Sequence, residues 1–239
     1  MASSESKPPA SRSQVRVLWI LGAIVLIALV VVMRPVIIKQ KKAVAHVKAL
    51  SGLRQIGASL FEFDSEYGSF PDDATALKLP EEAKAGFKLS GDHSNDYFRQ
   101  LIVVGLKSEK PFWCKTSFSP RKPDDDLSPL QALQAGEVGY SYIMAAPGLG
   151  QKSSGDPGRP VVVAASKLGG ALWTFDSDVY GGKAVVLKLD NSVAGMNIDE
   201  ESGYIRTGAS GRFLQTTGED TPWGPKATPY LLLPQTQDQ

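Results

Sequence analysis

Residues 17 to 33 read VLWILGAIVLIALVVVM, a run without a single charge. Arg34 and Pro35 follow, and Val36-Ile37-Ile38 then extends the apolar character. A helix rises about 1.5 Å per residue and a hydrocarbon core is about 30 Å thick, so about 20 apolar residues span it. Residues 17 to 38 have that length if Arg34 snorkels towards the headgroups. The anchor positions are Leu18, Trp19, Ile20, Leu21, Ile24, Val25, Leu26, Ile27, Leu29, Val30, Val31 and Val32. A cleaved signal peptide is the competing reading. The run exceeds the usual apolar core of such peptides, and no small-x-small cleavage site follows it. A buried core helix is the third reading. No cysteine lies near the end of the run, which excludes a lipoprotein anchor.

Outward from this run the chain divides in four. Residues 1 to 16 are rich in Ser, Pro and Lys at their start, lack apolar residues able to build a core, and are expected to form a disordered tail, cytoplasmic if the resemblance given below holds. Residues 17 to 38 are the transmembrane segment. Pro35 is expected to kink the helix near the interface. Residues 39 to 66 contain no proline, and apolar residues recur at Val47, Leu50, Leu53, Ile56, Leu60 and Phe63. Steps of three or four define an amphipathic stripe, the helix-packing face. Tyr67-Gly68-Ser69-Phe70-Pro71 ends it, with Gly as C-cap and Pro as breaker. One helix of about 50 residues is therefore expected, much longer than is usual in globular domains.

Residues 67 to 239 have the length of one globular domain. A helix is expected over 95–106 and a shorter one over 129–135. Strands are expected over 139–145, 160–165, 172–175, 183–189 and 192–198, the last two joined at Asp190-Asn191 as a hairpin. Residues 147–159 and 217–229 are expected to be loops. The class that emerges is α+β, a long helix packed on a small antiparallel sheet.

Lys and Arg number 26 against 25 Asp and Glu, so nothing points to a nucleic-acid partner. Cys114 is the only cysteine, which rules out an intramolecular disulfide and a cysteine-based zinc site. Beside Phe112 and Trp113 it reads as a small buried hydrophobe. His46 and His93 read as surface residues, with no triad or metal-ligand spacing between them. Asp124-Asp125-Asp126 reads as a solvated loop. Asp176, Asp178, Asp190, Asp199 and Glu200 read as surface charge. Calcium is the alternative for them, although no EF-hand pattern is present. The glycines at Gly148 and Gly150 precede no Gly-Lys-Ser/Thr, so they form no P-loop. Trp173 and Trp223 read as packing residues. No catalytic constellation, cofactor or metal site is expected.

Three features together resemble type IV pilins and type II secretion pseudopilins with a variable C-terminal domain. The first is the apolar helix with a proline partway along, Ile20 to Met33 then Pro35, passing into an amphipathic half. The second is Leu53-Arg54-Gln55-Ile56-Gly57 followed by Tyr67-Gly68-Ser69-Phe70-Pro71. The third is Gly181-Gly182-Lys183 through Asp190-Asn191-Ser192-Val193, with Asn191 where the families carry Gly. The resemblance implies a pilin-like fold and a non-enzymatic, single-pass inner-membrane protein. Its C-terminal domain would be extracytoplasmic and would assemble with other pseudopilin-like or secretion-apparatus proteins. The count of basic residues flanking the run leans the other way on topology, towards a cytoplasmic C-terminal domain. The chain departs from these families at its start. Around Ser13-Gln14 there is no Gly, no Phe, and Leu18 stands where their Glu would be. The prepilin peptidase motif is thus absent. That leaves open a membrane-tethered extracytoplasmic binding module that never polymerises.

Overall fold

The computed structural model describes residues 12–207 and 212–237, apart from the side chains of residues 12–18, 20, 23–25, 28 and 32. Residues 1–11, most of the expected tail, lie outside the described residues. The chain divides into two compact units, Met1–Lys41 and Lys42–Gln239. A single helix, α1 (Arg12–Tyr67, 56 residues), contributes to both and continues through Pro35. Residues 12–16, expected in the tail, are therefore helical. The helix ends where the sequence places its stop: Gly68 adopts φ +84° and its N–H donates to Asp64 O at 2.8 Å. A left-handed residue after the last turn is the conformation glycine adopts without a Cβ penalty.

The second unit is α+β. After α1 come α2 (Asp73–Lys78), α3 (Glu81–Lys84) and α4 (Ser94–Val103), then β1 (Tyr140–Met144), β2 (Pro160–Ala164), β3 (Lys183–Lys188), β4 (Val193–Asn197), β5 (Arg206–Thr207), β6 (Arg212–Phe213) and β7 (Tyr230–Leu232). The main sheet is fully antiparallel in the order β4-β3-β2-β1-β7, and β5 pairs separately with β6. The expected hairpin is β3–β4, in register from Lys183↔Asn197 to Leu187↔Val193. At its turn Asn191 has φ 60°, a conformation Asn tolerates better than most non-glycine residues.

Several elements differ from expectation, and α3, β5 and β6 are among those not expected. Residues 129–135 form turns rather than a helix, with Leu133 at φ 50°. Residues 172–175 form a turn that makes only one isolated bridge, Phe175 to Ser166. The short helix α2 was not expected. It is held by a reciprocal cap, Asp72 accepting from Thr75 N at 2.7 Å while Asp72 N donates to Thr75 Oγ1 at 2.8 Å. Strand β7 was not expected either, because three residues are too few to display alternation.

Strand alternation gives the main sheet two distinct faces. Tyr140 and Tyr142 of β1 point to the helical side. Their hydroxyls donate to Ala49 O and Pro71 O, both at 3.0 Å. Leu187 of β3 lies against Gly57 of α1, and Gly195 of β4 against His46. Helix α4 is buried from Ser94 to Ile102, and Phe98 packs between Phe112 and Tyr142 with ring centroids 5.2 and 5.5 Å away.

Small residues on α1 make this close approach possible. A Cβ at Gly52 would come within 2.5 Å of the Tyr140 hydroxyl and 2.6 Å of Pro111 O. Backbone cannot yield as a flexible side chain does, so Gly52→Ala is expected to destabilise the domain by about 1–3 kcal/mol. Urea titration measures this directly, and an unchanged midpoint would refute the packing described.

Candidate functional site

The feature with most functional content is α1, whose two halves carry apolar residues of opposite fates. In the amino-terminal half, Trp19 (77% exposed), Leu21, Leu26, Ile27, Leu29, Val30 and Val31 are all solvent-exposed, and Met33, Val36, Ile37 and Ile38 continue the series. The side chains of the other anchor positions, Leu18, Ile20, Ile24, Val25 and Val32, lie outside the described residues. Among the described residues no helix is long and apolar enough to cross a membrane.

In the carboxy-terminal half, Leu53, Ile56, Leu60 and Phe63 are buried in the core and Leu50 is half-buried. Val47 is a correction, for it is 63% exposed. Successive helical residues turn by about 100°, so Val47 lies about 200° from Ala49. The buried ladder runs 49, 53, 56, 60, 63, and the Tyr140 hydroxyl donates to Ala49 O beside it. A stripe extrapolated from large side chains alone misses that residue. This ladder is part of the domain's own core, so it is not a free surface for subunit contacts.

The two histidines do not meet. His93 caps α4 without a side-chain hydrogen bond. His46 is a second correction: it is half-buried, and its Nε2 is shut from solvent without a hydrogen-bond partner. Burial, and then the nearby Lys183 ammonium, lower its pKa. Cys114 is buried, its thiol directed at Gly139 O at 3.3 Å and pushed up to about 12 by burial, so it is unreactive. Trp223 is buried and Trp173 half-buried.

Several of the acidic residues are occupied by local structure, and Asp178 pairs with Lys42 at 3.2 Å. Asp176, Asp190 and Asp126 each accept the backbone N–H two residues on. Asp199 accepts from Ser202 N and its hydroxyl and pairs with Arg206. No group of three metal-ligating side chains occurs among the described residues.

A buried charged network escaped the sequence reading. Asp96 and Arg99 of α4 pair at 2.7 Å, and Lys88 reaches the other Asp96 oxygen at 2.9 Å. Arg99 also donates to Ala132 O and Leu133 O. Glu109 is fully buried and accepts from Leu133 N and Asp125 N, while Glu137 pairs with Arg121 at 2.9 Å. The 104–139 connection has almost no regular structure; Arg99 ties it to α4, while Glu109 and Glu137 brace it internally. The available signal was the i,i+3 spacing of Asp96 and Arg99.

Burial pushes Glu109 up to about 7. The charges of Glu137 and Asp124 add to the rise, and the two N–H donors oppose it. A raised acid favours the fold while protonated. Its contribution is complete below about 4.5 and is lost as pH rises through about 7. Glu109→Gln is therefore expected to flatten the fall in Tm between about pH 5 and pH 8. An identical pH slope in both proteins would show that Glu109 does not titrate in this window.

Comparison with protein-family models, with curated proteins and with solved structures gave no match.

Proposed function

We propose that this chain is a non-enzymatic, single-pass membrane protein of pseudopilin-like design. Its apolar segment is the anchor, and its α+β domain is displayed outside the cytoplasm for assembly with a secretion or pilus-like envelope apparatus. The observation that carries the reading is the change of apolar exposure along one helix. Soluble monomers rarely expose contiguous apolar patches beyond a few hundred Å². The row from Trp19 to Ile38 is of that kind, and lipid or neighbouring helices would cover it. The Leu-Arg-Gln-Ile-Gly segment, the Gly-Ser-Phe-Pro stop and the β3–β4 hairpin add support through the resemblance drawn above.

Alkaline carbonate extraction tests the anchor: the protein is expected in the membrane pellet, and its release would overturn the reading. Protease treatment of intact spheroplasts tests orientation, with residues 67–239 expected to be degraded. The missing peptidase motif favours a second reading, a tethered module that does not polymerise. Amino-terminal sequencing of the extracted protein separates the two, since a mature terminus near residue 14 restores the filament reading.

A further inference from the structure

The face of the sheet away from α1 is covered by residues 205–207 and 212–224. Leu187 lies against α1, so Val186 and Lys188, its neighbours on β3, point to the opposite side. Between that side and the covering segment is a cavity of about 240 Å³. Val186, Met196, Phe213 and Trp223 supply apolar walls, and Lys188 and Arg212 supply cations. The cover is fixed in place. The Trp223 indole donates to Leu214 O at 2.7 Å, and Arg159 Nε donates to Pro222 O at 2.6 Å. The indole nitrogen is therefore satisfied within the protein, and the ring is left to act as an apolar surface.

The charges around the cavity are unequal: two cations against Asp220. Asp220 pairs with Arg212 at 2.9 Å, a solvent-exposed contact that engages one guanidinium nitrogen. Exposed pairs of this kind contribute little, so they yield readily to a better acceptor. Guanidinium has five donors and ammonium three, which together suit a carboxylate. A bare inorganic anion would lose hydration against the apolar walls without return. A cavity of about 150 Å³ accepts benzene, and drug-sized ligands need about 300–1,000 Å³. The volume therefore fits a body of about one ring.

We propose that this cavity binds a small amphipathic carboxylate, its apolar body between Met196 and Trp223 and its anionic group on Lys188 and Arg212. Such a site would give the displayed domain a ligand of its own, independent of whether the chain enters a filament.

Calorimetric titration of the full chain in lipid nanodiscs tests this with benzoate, benzylamine and acetate. Benzoate is expected to bind saturably at one site. Benzylamine is expected to bind at least about tenfold more weakly, the effect of losing a charge-assisted contact, and acetate likewise for want of an apolar body. Met196→Trp, on an edge strand, fills the cavity and should abolish benzoate binding. Lys188→Ala with Arg212→Ala should weaken it at least about tenfold. Absence of saturable benzoate binding, equal binding of benzylamine, or full binding by Met196→Trp would each overturn the proposal.

Discussion

Arg99→Ala is expected to lower stability by about 3–5 kcal/mol, the cost of removing one partner from a buried ion pair. Asp96 is fully buried, and its Oδ1 is held by Arg99. Without the guanidinium that oxygen keeps its charge and loses its donor. Ala132 O loses its donor at 2.8 Å as well, while Leu133 O keeps the Asn95 amide. Each buried acceptor left unsatisfied adds about 1–3 kcal/mol. Lys88 still reaches Asp96, which keeps the estimate within the range for one lost partner. Arg99→Lys separates charge from geometry: it retains a cation but cannot fork to both carbonyls and the carboxylate. It is expected to recover less than half of the loss. Urea unfolding of the three proteins decides the matter, and full recovery by lysine would show that charge alone suffices.

The consequence should be local before it is global. Residues 113–139 contain no helix or strand and are tied down by Arg99, Glu109 and Asn95, the last donating to Leu133 O at 2.9 Å. Loops without regular structure depend on such anchors, because their own backbone supplies few hydrogen bonds. Hydrogen exchange in Arg99→Ala should accelerate first in this segment.

Periodicity along single elements carried most of the legible information. The end of α1 was readable because Gly68 and Pro71 act through local sterics, and β3–β4 because two apolar runs flank a turn-forming pair. What escaped depends on contacts between distant residues. Val47 and Ala49 cannot be ranked without knowing that the Tyr140 hydroxyl sits against α1. The turn at 129–135 has helical composition, yet Asn95 and Arg99 claim its carbonyls from α4. Strand β7 exists because β1 offers it an edge, with Tyr142 opposite Leu232. For the site, the exposed apolar row was readable from a simple run of residues. The charged network and the cavity beyond β3 were not, since each joins segments far apart in sequence.

Phe63→Ala is expected to cost about 3–5 kcal/mol, and Val47→Ala no more than about 0.5. Both belong to the stripe read from the sequence, so the contrast tests which part of it the fold uses. Phe63 is buried and stacks on Tyr67 at 4.6 Å between centroids, so truncation leaves a void that α1 and its neighbours cannot fill. Val47 loses only exposed methyl groups. The pair also bears on assembly. If α1 meets neighbouring subunits beyond the membrane, it must do so through exposed residues such as Val44 and Val47, because Leu53, Ile56, Leu60 and Phe63 already contribute to one domain's core. A protein with Val47→Asp and Val44→Asp should therefore fold with an unchanged urea midpoint and lose disulfide cross-linking between cysteines placed on adjacent copies of the helix. Loss of stability in that variant would mean that this face is packed within the domain. Unchanged cross-linking would remove this stretch of the helix from the assembly surface.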